Sequence, residues 1–491
     1  MRASRTRESR NDGSLRDADD DCMKGQLASP TATSRSRLLC LSAMLVFLGP
    51  IVSLNGAWIL LALAMLLVGG IMAAVACRAW VTVGRAGPVM IILTIVPALG
   101  VLLGLRLELS PPSLAAGSVS FVTGLTFVLA AALAVALPST VRWGALTPTR
   151  LYVTIHAVLL ARGIPGWTNF IDVWVFLTDS ASALLHLRNP YALTFVNIYG
   201  PAAEARLYGA GVIVDGRISY GFPYPPFSAL WAVPGYLLGD VRISGLLALT
   251  ILAVALGGRQ MSRWSRLLAV LVVLAPGEIF VITDAWTEPS IVALLGLSIW
   301  AMHRGHFGWA AVLLGIFFSS KQYLAVALPC LWLLRPLATR RNIALLVSSG
   351  LAVTLPLVLV NPYSFWRAVV QWQLIQPFRP DSLSLLVSSV QQFGWPSPSV
   401  YSVLPIFAGV LVAVVFSYTT RPGPAQFAVG VGLSLLVTIL LSKQAFINYY
   451  FLVGGAFLLA AWVASVRPAP AGHHGHEQST QDDEQPLRIA Q

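Results

Sequence analysis

Two aspartates, Asp172 and Asp179, stand in the segment "NFIDVWVFLTDSASALLHL", which follows a long apolar part of the sequence. They are two helical turns apart, so in a helix both carboxylates would lie on roughly the same face. The helix dipole stabilises a carboxylate near the N-terminus, where Asp172 would lie. At a membrane–water boundary, such a group can act as the general base for an attacking hydroxyl group. The alternative is a helix cap or a solvated interfacial charge, which residue type alone favours.

The apolar residues of this segment recur at roughly helical spacing. They are Ile171, Val175, Leu177, Leu184, Leu185 and Leu187. The pattern predicts an amphipathic helix that lies along the membrane surface. Such a helix would hold Asp172 at the interface, although the residues alone leave open whether Asp172 or Asp179 is the base.

Three cations are candidates for binding an anionic group on the same face as such a base. Lys321, in "GIFFSSKQY", is isolated between apolar runs, where an ammonium group is costly unless it is paired or at the interface. Arg379 and Lys443 lie in polar segments further along the chain, and arginine carries planar donors that suit phosphate oxygens. The alternative for Lys321 is a side chain that reaches along apolar surface to place its charge in water.

A third group of residues could bind a ligand that carries hydroxyl groups, because amides and carboxylates bond to hydroxyl groups and aromatic faces can stack on the apolar side of a ring. The candidates are Asn189, Tyr191, Tyr224, Asp284, Glu288, Gln373, Asn448 and Tyr449. Asp284 and Glu288 would share one face if their segment were helical. Their two carboxylates supply too few oxygens for a secure divalent-cation site, so we expect no metal and no cofactor. A structural role is the alternative for each residue taken singly.

Composition determines the class of protein that carries these residues. Of 491 residues, 56% are hydrophobic and 11% are charged, whereas a soluble protein has about a quarter charged residues. The apolar runs do not alternate as barrel strands would. The sequence therefore predicts an all-α polytopic membrane protein with about 13–15 transmembrane helices. The candidate spans lie near 38–54, 57–77, 88–105, 118–138, 151–166, 225–239, 243–258, 266–283, 287–302, 307–320, 323–338, 343–361, 401–417, 425–442 and 446–464. The net charge of +12 lies in short basic clusters between apolar runs, which suits membrane topology and not nucleic-acid binding.

The basic clusters also orient the predicted helices. Placing them inside puts Asp172, Lys321 and two long loops, 167–224 and 362–400, on the outer face. Loops of this length are uncommon unless functional. Tyr224 would then lie outside and the basic segment 259–266 inside. An odd number of membrane crossings must connect them, but the sequence between them shows two apolar segments. We favour an interfacial or re-entrant piece near "FPYPPF", and a local exception to the charge rule is the alternative.

The predicted organisation has four parts. They are a disordered cytoplasmic tail (1–37), additional transmembrane helices (38–150), the main membrane domain (151–464) and a second disordered cytoplasmic tail (465–491).

The order of four sequence features resembles a known family. Asp172 is followed by "RNPY" (188–191), then by "YPP" (224–226), and later by Lys321 between two apolar runs. This order resembles the polyprenyl-phosphate-sugar-dependent glycosyltransferases of the GT-C superfamily, in particular the bacterial α-mannosyltransferase family (DUF2029). The resemblance covers roughly 165–464. It departs from the family where "LR" replaces the glycine before "NPY" and where "TDAWTEPS" stands for the usual "GQ-x-N" segment.

The resemblance implies a GT-C-type helical bundle and a transferase reaction. The enzyme would move a hexose, with mannose expected, from a polyprenyl-phosphate donor to a cell-envelope glycolipid or glycan at the outer face of the plasma membrane. Asp172 would be the base of an inverting single displacement. Lys321, Arg379 and Lys443 would meet the donor phosphate, and the third group of residues would bind the sugar and the acceptor. The alternative is a transporter or flippase, which would predict an internal repeat and broken helices at the bilayer midplane. We find no clear repeat in the sequence.

Overall fold

The computed structural model describes residues 30–53, 58–78, 129–137, 146–166, 171–258, 261–394 and 403–466. The span predicted at 88–105, much of the one at 118–138, and most of both predicted tails lie outside these residues.

The described chain is almost entirely helical. Its α-helices are α1 (Pro30–Val52), α2 (Ile59–Arg78), α3 (129–136), α4 (Pro148–Gly163), α5 (Asp172–Leu185), α6 (Pro201–Leu207), α7 (Pro226–Leu237), α8 (Arg242–Leu256), α9 (Arg263–Leu271), α10 (Glu278–Thr283), α11 (Glu288–His303), α12 (Phe307–Ser320), α13 (Arg340–Val360), α14 (Pro362–Trp366), α15 (Trp372–Ile375), α16 (Leu385–Phe393), α17 (Leu404–Thr419), α18 (Pro424–Leu440) and α19 (Ile447–Ser465). The predicted helical, polytopic architecture is confirmed.

Four helices of the described chain are long and apolar enough to cross a membrane. They lie at Ser34–Val52, Ile59–Cys77, Arg340–Val360 and Ile447–Ser465, and the bent pair α7–α8 gives a fifth if it counts as one span. Other apolar helices have 10–17 residues. Such helices reach only about 15–25 Å, less than the hydrocarbon core of a bilayer. The described residues thus hold fewer full-length spans than the predicted 13–15.

Two predicted spans take a different form. The segment 266–283 is broken into α9 and α10, because Gly277 adopts a positive φ of 90° before the second helix begins. The span predicted at 323–338 begins as a 3₁₀ helix, Gln322–Leu333. A 3₁₀ helix rises about 2 Å per residue, so these twelve residues reach farther than an α-helix of equal length.

The core is centred on α19, which packs against α1, α11 and α18. The rings of Phe47 in α1 and Phe451 in α19 lie 5.6 Å apart, and Gly454 leaves room for the Phe47 ring. Close helix packing at small residues is common in membrane bundles. The N-terminal helices α1 and α2 therefore share one core with the main membrane domain.

The first helix begins at Pro30, inside the tail predicted for 1–37, so that boundary was placed too late. The Ser36 hydroxyl is buried, donates to the Ala461 carbonyl and accepts from Trp264 Nε1. These contacts with α19 and α9 extend the helix into a segment whose polar composition predicted disorder.

The bend between α7 and α8 bears on the number of crossings. The two helix axes meet at 99°. Tyr224, just before α7, contacts Lys321, and Asp240, just after it, accepts from Trp174 of α5. One end of α7 thus lies near Lys321 and the other end lies near α5. A bend of this size fits either a broken span or the re-entrant piece expected near "FPYPPF".

The first long loop is folded into small elements around α5. A 3₁₀ turn at Pro190–Ala192 is followed by three short antiparallel strands in the order β1–β3–β2: β1 (Phe195–Val196), β2 (Ile213–Val214) and β3 (Arg217–Ile218). Asp215 and Gly216, both with positive φ, form the tight turn between β2 and β3. The second long loop contains α14, a π-helical turn at Arg367–Gln371, α15 and α16.

The packing of α5 differs in part from the predicted stripe. Val175 and Leu177 are buried, but Leu185 and Leu187 are exposed. The helix packs against α7 and an aromatic cluster, so it is held by protein on more than one side.

Candidate functional site

Asp172 is the first residue of α5, and its backbone N–H donates to the Tyr199 hydroxyl at 3.2 Å. The hydroxyl groups of Tyr199 and Tyr208 lie beside its half-buried carboxylate, and the Arg379 guanidinium interacts with it electrostatically. Burial away from water raises the pKa of Asp172 above its usual value, while Tyr208 and Arg379 act in the opposite direction. A carboxylate with a raised pKa is a stronger base, which suits proton abstraction from a hydroxyl group.

Aromatic side chains from both long loops support this carboxylate. The ring of Tyr208 lies 6.2 Å from that of Trp372, and Phe176 of α5 meets Trp372 edge-on at 5.9 Å. Trp372 is 2% exposed, so it is a fixed point at which the two loops meet. Tyr199 and Tyr208 were not among the predicted site residues, because only the folding of the loop brings them to Asp172.

Asp179 has a separate environment two turns further along α5. Burial raises its pKa, and the opposing charge is Arg217 of β3 rather than Arg379. Two turns correspond to about 10 Å along the helix axis. The two aspartates therefore face different cations, and the tyrosine hydroxyls gather at Asp172.

Arg379 is the cation whose charge acts on Asp172. Its guanidinium binds Asp381 in a bidentate pair at 2.9 and 2.7 Å and lies over the Phe446 ring at 4.8 Å from the centroid. Asp381 is 55% exposed, so this pair opens to solvent on one side. An anion could therefore replace Asp381 on the planar donors of Arg379 without breaking the fold.

Lys321 lies in a buried ion pair rather than at an open surface. Its Nζ is 2.8 Å from Glu288 Oε1, and the two side chains are 3% and 0% exposed. The Tyr323 hydroxyl donates to the same oxygen at 2.9 Å. The rings of Tyr224, Tyr323 and Tyr449 surround the ammonium group, with Tyr224 nearest at 4.4 Å from the ring centroid.

Asn448 and Tyr449, at the start of α19, complete this buried cluster. Asn448 is fully buried and lies beside the Glu288 carboxylate. The Tyr449 ring meets Tyr323 edge-on at 5.4 Å. Of the residues predicted to bind sugar, Glu288, Asn448, Tyr449 and Tyr224 thus come together around Lys321.

Asp284 and Glu288 do not share a helix face. The expectation that they would do so required one helix through both residues, and the segment between them is not helical. Asp284 ends α10 and Glu288 begins α11, and Ala285 between them has a φ of 57°. Asp284 Oδ2 accepts from Trp286 Nε1 at 3.3 Å, and the charge of Asp284 acts on Tyr199. The charge of Asp284 thus reaches a tyrosine beside Asp172, while Glu288 lies in the tyrosine cluster around Lys321.

The "NPY" and "YPP" segments hold each other in place. Asn189 Oδ1 accepts from the Tyr191 backbone N–H at 3.0 Å, and its Nδ2 donates to the Leu357 carbonyl at 3.1 Å. The Tyr191 hydroxyl donates to the Tyr224 carbonyl at 2.8 Å, and Pro226 opens α7. The polar atoms of Asn189 and Tyr191 are thus bound to protein groups, and these side chains position Tyr224.

A cavity of about 430 Å³ opens beside this cluster. Its walls are mostly apolar and come from the 3₁₀ helix Gln322–Leu333, α17 and α18, while Gln373, Lys443 and Tyr449 lie on its polar side. Lys443 Nζ donates to the carbonyls of Leu374 and Gln376 at 3.3 and 2.5 Å, so it also ties the end of α15 to the loop before α19. Burial lowers the pKa of Lys443.

Within the described ranges, no three His, Cys, Asp or Glu side chains are arranged as a metal site. The chemistry available at Asp172 is that of a base beside a guanidinium group and tyrosine hydroxyls.

Comparison with known proteins leaves the family open. No protein-family model and no curated protein match the chain. Among solved structures, ArnT from Cupriavidus metallidurans bound to undecaprenyl phosphate is similar, with 18% sequence identity and a TM-score of 0.39. The match covers 64% of this chain and 59% of that one, so the chain spans about three fifths of that structure. At this identity and TM-score, the function has to be argued from the site itself.

Proposed function

We propose that the chain is an integral membrane glycosyltransferase of the GT-C type. It transfers a hexose, with mannose as the first candidate, from a polyprenyl-phosphate donor to a cell-envelope glycolipid or glycan on the extracytoplasmic face. The observation that carries the proposal is the Asp172 carboxylate beside two tyrosine hydroxyls and under the charge of Arg379. The Arg379 backbone N–H donates to the carbonyl of Lys443, which lines an apolar cavity. A base, a cation for a phosphate and an apolar site for a lipid are the parts that this reaction needs.

The reaction is a single displacement at the anomeric carbon. The acceptor hydroxyl loses its proton to a carboxylate oxygen of Asp172 as its oxygen bonds to that carbon. The bond from the carbon to the phosphate oxygen breaks, and its electron pair leaves with the polyprenyl phosphate. Arg379 releases Asp381 and binds the phosphate in its place, so it stabilises the negative charge that develops there. Attack opposite the leaving group inverts the anomeric centre.

The cavity suits the isoprenoid tail of the donor. Val326, Val410 and Leu435 are among its apolar walls, whereas Lys443 and Gln373 lie on its polar side. A lipid tail buried there is stabilised by about 0.8 kcal/mol for each CH₂ group removed from water. Tyr449 lines the cavity and also covers Lys321, so the cavity lies beside the buried cluster. In this proposal Lys321 fixes the tyrosines beside the donor, and Arg379 meets the phosphate.

Charge distribution supports the outer face. Arg242, at the start of α8, bonds to the Ile164 carbonyl at the end of α4, near Asp172. Arg150, at the start of α4, bonds to the Val254 carbonyl at the end of α8. The two helices are antiparallel, so Arg150 lies at the opposite end of the bundle from the site. In this proposal the end that carries Arg150 faces the cytoplasm and the site lies outside.

A donor panel tests the proposal. Membranes that contain the chain are given polyprenyl-phosphate mannose, polyprenyl-phosphate glucose or a nucleotide-linked mannose, each radiolabelled, and transfer to lipid or glycan is counted. We expect transfer from a lipid-linked donor and none from the nucleotide sugar. Flux of the lipid-linked sugar across sealed vesicles without any transfer would contradict the proposal and support a transporter.

A further inference from the structure

The bend between α7 and α8 contains a buried ion pair that bonds to both acidic segments of the site. Arg242 Nε and Nη2 bind the two oxygens of Asp240 at 3.0 and 2.7 Å, and the Arg242 backbone N–H donates to Asp240 Oδ1 at 2.8 Å. The side chains are 3% and 6% exposed. The carboxylate and the guanidinium therefore have one fixed geometry.

Asp240 is bonded to the segment of the candidate base. Trp174 Nε1 donates to Asp240 Oδ1 at 3.4 Å. Trp174 lies in the first turn of α5, two residues after Asp172. The orientation of Asp240 therefore constrains the end of α5 that carries the Asp172 carboxylate.

Arg242 is bonded to the segment of the second acid. Its Nη1 donates to the Thr283 carbonyl at 3.5 Å, and Thr283 immediately precedes Asp284. Its Nη2 also donates to the Ile164 carbonyl at 3.1 Å, after the end of α4. A guanidinium group can serve several acceptors in fixed directions, whereas an ammonium group cannot reproduce that planar arrangement.

We propose that the Asp240–Arg242 pair is a positioning device that holds Asp172 and Asp284 at a fixed separation across the acceptor site. The inference rests on the proposed function, because the separation matters for the reaction at Asp172. A buried ion pair is a poor source of stability compared with apolar packing, so its value here is geometric. Catalytic groups must be held to within about 0.5 Å, and a misplacement of about 1 Å can cost on the order of 100-fold in rate.

The test compares Arg242→Lys with Arg266→Lys. Arg266 is a matched control because it is also buried and donates to backbone carbonyls, those of Met261, Val135 and Leu137. It lies at the other end of α8, beyond Leu256. Thermal unfolding, transfer kinetics and hydrogen exchange of segments 171–175 and 283–287 are measured on all three proteins.

We expect both variants to lose thermal stability. Only Arg242→Lys should lower kcat, by about 10-fold or more, with the KM for the donor changed less than about threefold. Only Arg242→Lys should also speed hydrogen exchange in both segments. Equal kinetic losses in the two variants, or unchanged exchange in Arg242→Lys, would overturn the positioning role. If Arg242→Lys does not accumulate, Asp240→Asn is compared in the same way and is expected to show a smaller effect of the same kind.

The exchange measurement separates this inference from the proposed function. If the wild-type chain transfers no sugar, the function fails, but faster exchange confined to Arg242→Lys still supports the positioning role. If the wild type is active and Arg242→Lys changes neither exchange nor kcat, the positioning role fails alone.

Discussion

Lys321 Nζ lies 2.8 Å from Glu288 Oε1, and both side chains are almost completely buried. The two residues are 33 positions apart in the chain, and the Tyr323 hydroxyl donates to the same carboxylate oxygen. This pair holds the end of α12 against the start of α11, next to the cavity. A lysine that the sequence places at the donor phosphate is thus engaged inside the protein, and Arg379 is the more open cation beside Asp172.

Removing either partner of this pair should destabilise the protein. Glu288→Gln or Lys321→Met leaves one buried charge without compensation, a change that typically costs about 3–5 kcal/mol. The double variant should lose less than the sum of the two single losses, because it removes both charges together. Denaturant unfolding of the four proteins measures this coupling. A Lys321→Met protein that keeps its stability but no longer binds the donor would show instead that Lys321 meets the phosphate.

Substitutions at Arg379 and Asp381 should act on the donor in opposite directions. Arg379→Gln removes the charge that meets the phosphate and should raise the KM for the donor by about 10-fold or more. Asp381→Asn removes the competing carboxylate and should lower that KM. Asp381→Asn should change stability little, because Asp381 is 55% exposed and an ion pair with an exposed partner contributes about 1 kcal/mol or less. Arg217→Gln, which alters an exposed arginine on β3, is the control and should leave the KM unchanged.

The pH dependence of transfer should report on Asp172. The base acts when deprotonated, so kcat/KM should fall as pH drops through the raised pKa of Asp172. The charge of Arg379 lowers that pKa, so Arg379→Gln should move the acidic limb of the profile to higher pH. An acidic limb that is unchanged in Arg379→Gln would contradict the assignment of Asp172 as the titrating base.

The ionised Asp172 carboxylate should destabilise the folded state. Its pKa is higher in the folded than in the unfolded state, so stability is lost as pH rises through the folded pKa. Asp172→Asn removes this penalty and should melt at the same temperature as the wild type or higher at neutral pH. The difference should disappear at acidic pH, where the wild-type carboxyl is protonated in both states. A variant that melts well below the wild type at neutral pH would assign Asp172 a structural role.

Filling the cavity should discriminate between donors by tail length. Val410 lines the cavity on α17, whereas its neighbour Leu411 is 62% exposed on the outside of the same helix. Val410→Trp should raise the KM for a long polyprenyl-phosphate donor more than for a short isoprenoid analogue, and Leu411→Trp should affect neither. Equal effects of Val410→Trp on both donors would place the tail elsewhere.

The sequence predicted that Asp172 lies near the start of a helix, because helical periodicity is a local feature. It could not predict the Lys321–Glu288 pair, since tertiary packing joins residues that are distant in the chain. Tyr199 and Tyr208 were missed for the same reason.

Two overlooked local signals were available in the sequence. Asp215-Gly216 between short β-forming pairs indicates a hairpin, and that hairpin is present. Pro289 indicates a helix that begins next to it, which separates Glu288 from Asp284.

The central claim is that Asp172 is the base of a sugar transfer. The most direct measurement is the transfer of radiolabelled mannose from polyprenyl-phosphate mannose in membranes that contain equal amounts of wild type, Asp172→Asn or Asp179→Asn. We expect Asp172→Asn to lose about 100-fold or more of the transfer rate, and Asp179→Asn to stay close to wild type. Wild-type rates in Asp172→Asn would contradict the account, because no base would then be required at the start of α5.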